Sequence, residues 1–229
     1  MSHFNSFREK TKTKGVLVLA SGEVFHGNLF GHIQESSGEV VFNTSMMGYQ
    51  EILTDPSYEN QLVAMTYPLV GNYGLNSQDF ESRKSWVRGF VVREACNFPS
   101  NWRSEFSLDE FLKAQKVVGI EGIDTRALTL SLRERGAAMG IISPEVGRLK
   151  ELKEKAARLP GMEGQDLARK VSVEKPYFWE DKTFAESNGR PWKVVAFDFG
   201  IKRKHLTLFC ENQGIDLSKR RVFLDKELK

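Results

Sequence analysis

The amino-acid sequence predicts an α/β protein with α+β character, and three observations carry that prediction. The first part of the chain is built of short β-rich runs, beginning with GVLVLASGEVFHG at Gly15. Capped helix signals then enter: Ser107 stands three residues before Glu110, and Asp124 precedes ALTLSLRER. Near the end, WKVVAFDFG followed by IKRKHLTLFCENQG reads as strand, tight turn and helix, the way an α/β sheet begins.

In chain order, the turn chemistry of Ser21-Gly22 makes the first two runs a hairpin, and GEVVFN is a third strand. Leu62 to Tyr67 and Val87 to Val92 supply two more, separated by Pro68 and the Gly71-Asn72-Tyr73-Gly74 cluster. Between Val40-Val41-Phe42 and Leu62-Val63-Ala64 lies NTSMMGYQEILTDPSY, which has neither clean helical nor clean strand periodicity. Its Asn43, Thr44, Tyr49, Gln50 and Glu51 read as a polar network holding a turn. The capping box at Ser107 starts a helix through Phe111-Leu112, and the helix after Asp124 buries Leu128 and Leu132, one turn apart, before stopping at Gly136. KVVGIEGI and AAMGIIS are further strands. In EVGRLKELKEKAARL the residues Leu149, Leu152, Ala156 and Leu159 fall at helical spacing, and Pro160-Gly161 ends that surface helix. Pro176 to Arg190 reads as an irregular connector. After Gly214 the expected return strand is not found, because LSKRRVFLDKELK is charged around a short Val222-Phe223-Leu224.

The composition narrows the function classes. At 229 residues and 40% hydrophobic content the chain can bury a sizeable core. Its 33 basic and 30 acidic residues leave a formal charge of +3, which argues against nucleic-acid or anionic-membrane binding. Lys219-Arg220-Arg221 is a short charge run that reads as a solvated tail, with a nucleic-acid role as the rival. The two cysteines, Cys96 and Cys210, lack zinc-site spacing, so no metal site and no disulfide framework are expected. No apolar run reaches the ~20 residues that span a bilayer, and the expected location is the cytoplasm.

GEVVFNTSMMGYQEILTDPSY, TYPLVGNYG, VVRE, SNWR, GIDTRALT and VVAFDFGIKR, in this order, resemble the small, glutamine-amidotransferase subunit of carbamoyl-phosphate synthase. The likeness runs from about Gly15 to about Asp216. It implies a swivelling β/β/α N-terminal domain at residues 12–175, a linker at 176–191, and at 192–229 the incomplete start of a class I glutamine amidotransferase α/β domain. It also implies the family role of supplying ammonia from glutamine to the large synthetase subunit. There ammonia, bicarbonate and ATP give carbamoyl phosphate for pyrimidine and arginine biosynthesis. ATP and Mg belong to the large subunit, so no cofactor is expected in this chain.

The same resemblance shows what is missing. Class I glutamine hydrolysis uses a Cys nucleophile in a Gly-x-Cys-x-Gly elbow, a His base and a Glu that orients it. None of these occurs here, so no catalytic residue is assigned and the chain is expected to be shortened before the glutaminase residues and inactive alone. Cys96 and Cys210 are read as small buried side chains, and His3, His26, His32 and His205 as surface or satisfied structural groups. By resemblance, Ser57 in the DPSY turn gives a hydroxyl contact to glutamine in an intact subunit, while on its residues alone the Asp55-Pro56-Ser57 run is ordinary turn chemistry. Arg103 and Arg126 are candidates for structural ion pairing, with docking on the large subunit as the rival. The alternative role for the whole chain is a non-catalytic docking or regulatory module for that large subunit.

Overall fold

The structure, a computed structural model, describes residues 12–179, 195–212 and 222–225. In chain order its first elements are β1 (Thr13–Leu19), β2 (Val24–Gly31), β3 (Ser36–Asn43), α1 (Tyr49–Thr54), a single 3-10 turn (Pro56–Tyr58), β4 (Gln61–Met65), β5 (Leu69–Val70), β6 (Gly89–Val91) and β7 (Glu94–Ala95). After these come α2 (Leu108–Ala114), β8 (Val118–Glu121), α3 (Thr125–Arg135), β9 (Ala138–Ser143), α4 (Leu149–Ala157) and α5 (Leu167–Val171). The last are β10 (Tyr177–Trp179), β11 (Val195–Phe197), α6 (Arg203–Asn212) and β12 (Val222–Asp225). Mixed helix and strand, richest in sheet toward the N-terminus, agree with the class the sequence predicts.

The chain divides into two compact units, each assembled from several stretches. The first draws on Met1–Met47, Gln61–Leu75 and Arg88–Gly161, the second on Gly48–Asn60, Asn76–Val87 and Met162–Lys229.

In the first unit seven strands close into a barrel in the order β1-β2-β8-β6-β4-β3-β9, and β9 returns to pair with β1. The expected hairpin is there, with Val16 opposite His26 and Val18 opposite Val24. The parallel pairs β3–β4, β4–β6 and β6–β8 lie together on one side of the ring. The continuous apolar run of β1 is explained by burial on both faces. Leu17 and Leu19 point into a cluster with Leu29, Leu62, Val91, Ile120 and Ile142, whereas Val16 and Val18 pack with Ile141, Leu152 and Ala156. The second cluster brings in α4, whose Leu152 and Ala156 lie one turn apart and are both buried. Each such fully buried aliphatic side chain contributes about 1.5–3 kcal/mol.

Local signals set the helices of this unit. Ser107 Oγ accepts from Glu110 N, and Glu110 in turn accepts from Ser107 N at 2.9 Å, so the capping box is complete. The Asp124 side chain accepts from Ala127 N at 2.9 Å to open α3. Gly136 ends α3 at φ 89, a left-handed backbone that favours glycine.

The second unit holds α1, the 3-10 turn, α5, α6 and a three-stranded sheet in the order β10-β12-β11. Two expectations are corrected here. A return strand does follow Gly214: Val222–Asp225 pairs in parallel with β11, Val195 against Phe223 and Phe197 against Asp225. Three apolar β-formers followed by Asp225 are enough for this short ladder. The connector is also not wholly irregular, because Tyr177–Trp179, three aromatic residues in a row, pairs antiparallel with β12. The rest of that connector, residues 180–194, lies outside the described residues.

Candidate functional site

The turn that carries Ser57 is built on Asp55. This residue ends α1 in an extended conformation, φ −77 and ψ 119, and so begins the 3-10 turn, in which Pro56 presets the first φ. Its Oδ1 accepts from Ser57 N at 2.9 Å, and its Oδ2 accepts from Lys202 Nζ at 2.9 Å. Asp55 is buried, and the hydrogen bond to Asp55 holds the Lys202 ammonium above its ordinary pKa. Ser57 itself is exposed, so its hydroxyl is presented rather than packed.

A polar network supports α1 from beneath. Gln50, 1% exposed, donates to Asn76 O and accepts from Asn76 N at 3.0 Å, a two-way clamp on the segment that follows. Thr54 Oγ1 donates to Gln50 O at 2.9 Å and accepts from Glu81 N at 2.9 Å. Two carbonyls at the end of α1 have no partner within the helix, and side chains from the same segment meet both. Ser82 Oγ donates to Thr54 O at 2.5 Å, and Ser85 Oγ donates to Leu53 O at 2.8 Å. Trp86 Nε1 donates to Ser82 Oγ at 2.7 Å. Of Asn43, Thr44, Tyr49, Gln50 and Glu51, read as that network, Gln50 anchors it, and its other hubs are Thr54, Asn76 and Glu81. Their partners lie 26 or 27 residues away, which no local spacing announces.

The turn after β11 repeats the device. Asp198, 5% exposed, accepts from Gly200 N at 2.9 Å and Ile201 N at 2.8 Å through Oδ1, and from the Tyr177 hydroxyl at 2.9 Å through Oδ2. Burial first, and then the Asp198 carboxylate, push the Tyr177 phenol well above its ordinary pKa, so it stays a donor. Glu81 serves the start of α6, its backbone oxygen accepting from Arg203 N at 2.8 Å and its carboxylate from Lys204 N at 3.0 Å. Between these two turns opens a cleft of about 470 Å³.

The other residues singled out by sequence fall elsewhere. Cys96 is a half-buried free thiol, less buried than expected, with Sγ 3.4 Å from Phe98 O. His26 and His205 are exposed and His32 is half-buried, while His3 and the side chain of Cys210 lie outside the described residues. Arg126 is exposed on α3 and enters no ion pair among the described residues. Arg103 is half-buried, and its backbone N–H donates to Asn101 Oδ1 at 2.8 Å. Among the described residues no helix is long and apolar enough to cross a membrane.

Comparison with known proteins identifies the lineage. Residues 17–142 match the family described as carbamoyl-phosphate synthase small chain, CPSase domain. This chain belongs to that family. It is 52% identical over 200 residues to the carbamoyl phosphate synthase small chain of Syntrophotalea carbinolica, covering 84% of this chain and 53% of that one. It is 48% identical over 213 residues to the small chain of Nitratidesulfovibrio vulgaris, covering 89% and 56%, and 47% identical over 198 residues to that of Clostridium perfringens, covering 86% and 54%. The chain spans about half the length of the curated relatives it matches. A solved aminopeptidase from Aneurinibacillus sp. strain AM-1 gives a TM-score of only 0.32 at 13% identity, over 58% of this chain and 31% of that one.

Proposed function

We propose that this stretch is the docking portion of a carbamoyl-phosphate synthase small subunit, a cytoplasmic glutamine-hydrolysing ligase component whose family role is to pass ammonia to the large subunit. The observation that carries the proposal is the family match over residues 17–142, which overlaps every strand of the closed barrel. Residues 12–175 are the swivelling β/β/α domain, 176–191 the linker in the family's plan, and 192–229 the start of the class I amidotransferase domain. Ser57 is the residue that meets glutamine in an intact subunit, and Asp55 with Lys202 fixes its backbone. Residues 1–229 contain no Gly-x-Cys-x-Gly elbow, so this stretch by itself leaves glutamine intact. ATP and Mg act on the large subunit, where carbamoyl phosphate for pyrimidines and arginine is made.

The test mixes the purified chain with a cognate large subunit. Co-elution on gel filtration at micromolar concentration is expected, as for an interface of roughly 1,600 Å². Ammonia should then support carbamoyl phosphate synthesis and glutamine should not. Glutamate release above that of a Cys96→Ser/Cys210→Ser double variant would overturn the inactivity, and failure to co-elute would overturn the docking.

A further inference from the structure

The cleft of the second unit, whose lining does not include Ser57, has the chemistry of a ligand site. Its floor is apolar: Trp86, Val171, Val173 and Leu206 line it, and each is at most 9% exposed. Its two buried acids are occupied. Asp198 accepts from two backbone amides and a phenol, and Glu81 accepts from an amide of α6. The rim is different, carrying the exposed cations Arg83, Lys175 and Arg203 against the single exposed acid Glu174. None of the three cations pairs with a carboxylate among the described residues.

Unpaired surface cations are common, and alone they mean little. Here, however, two guanidinium groups from different segments face the same cleft. Arg83, from the segment before Trp86, and Arg203, at the start of α6, both line this one cleft. Arg83 is also packed on the indole of Trp86, with 5.2 Å from its guanidinium carbon to the ring centroid, which limits its motion. Guanidinium groups on the rim of a cleft suit an oxyanion, which each can bind through parallel N–H donors. An apolar floor beneath suits a hydrocarbon or aromatic body, and the volume of about 470 Å³ lies in the ordinary range for small-molecule sites.

We propose that the cleft between Trp86, Tyr177 and Arg203 binds a small organic anion, an oxyanion group held by Arg83 and Arg203 with its apolar body on the Trp86 floor. This assignment is independent of Ser57 and of large-subunit docking. The probes are phenyl phosphate and benzoate as whole ligands, with inorganic phosphate and phenol as the two halves. L-glutamine is the further arm. Titration of the full chain is followed by the indole N–H signal of Trp86 in NMR, assigned with a Trp86→Phe variant. At least one whole ligand should shift that signal and bind roughly tenfold or more tightly than either half, because both the charge and the burial are used. Arg203→Gln should weaken it by about tenfold, and Arg133→Gln, exposed on α3, should leave it unchanged. Equal binding of inorganic phosphate and phenyl phosphate, tighter binding of L-glutamine, or no shift with either whole ligand would each overturn the proposal. If Arg203→Gln does not fold, the ratio of whole to half ligands in the unaltered chain decides it.

Discussion

In the seven-stranded ring every strand has two neighbours, whereas in the sheet β10-β12-β11 only the middle strand does among the described residues. The ring has no edge, so its backbone groups are paired all the way round and its strands are buried on both faces where helices cover them. The smaller sheet leaves β11 paired on one side among the described residues, and Phe197 on that strand is 40% exposed. What differs between them is closure, and closure decides how much each buried side chain is worth.

The largest effect is expected from cutting the ring's core. Leu62 on β4 is 0% exposed and packs with Leu17, Leu29 and Ile142. Leu62→Ala should therefore lose about 2–5 kcal/mol in urea unfolding, as buried Leu truncations do. Leu208→Ala on α6, where the side chain is 43% exposed, should change stability by no more than about 0.5 kcal/mol. Equal losses at the two sites would remove the contrast between the units.

Hydrogen exchange sharpens the same comparison at the backbone. Val40 pairs with Leu62 on one side and Ala138 on the other, so its region opens only when the ring does. Residues 195–197 have a partner strand of four residues on one side. Amides of Val195 to Phe197 should exchange roughly a hundredfold faster than those of Val40 to Phe42, reflecting local rather than global opening. Equal protection would mean that one paired edge stabilises β11 as well as two stabilise β3.

These differences also explain what could be read from the sequence. The ring's strands, the capping box at Ser107 and the stop at Gly136 are local patterns, and each was legible. Closure was not, because it depends on β9 meeting β1 across more than a hundred residues of chain. The Ser57 turn was legible from Asp55-Pro56, but the Lys202 that anchors it lies 147 residues away. The return strand at Val222 was misjudged because three apolar residues in a charged tail give almost no periodicity, and pairing supplied what propensity did not.

The smallest effect is a difference in sign between two carboxylates. In the ring, Glu23 accepts from Ser131 Oγ and Ser21 Oγ, each at 2.8 Å, and these bonds, aided by Arg135, pull its pKa below the ordinary value. In the second unit Glu51 is pushed up, first by burial and then by the nearby Asp79 and Glu81, against its own backbone and Lys204. A lowered carboxyl binds fewer protons folded than unfolded, so Glu23 adds stability above the ordinary value of 4.5, and that stability is lost as pH falls through its folded pKa. A raised carboxyl binds more protons folded than unfolded, so the contribution of Glu51 is unimpaired below 4.5 and becomes a cost as pH rises through its folded pKa. Replacing each with the neutral amide should reveal the opposition. Glu51→Gln should gain a little stability at pH 7, with the gain closing as pH falls below 4.5, while Glu23→Gln should lose stability at pH 7 and converge on the parent in acid. Unfolding midpoints of both variants measured from pH 3 to pH 8 decide it. A Glu51→Gln variant that is less stable at pH 7 would show that this carboxylate holds α1 in place, and that the second unit uses its charges as the ring does.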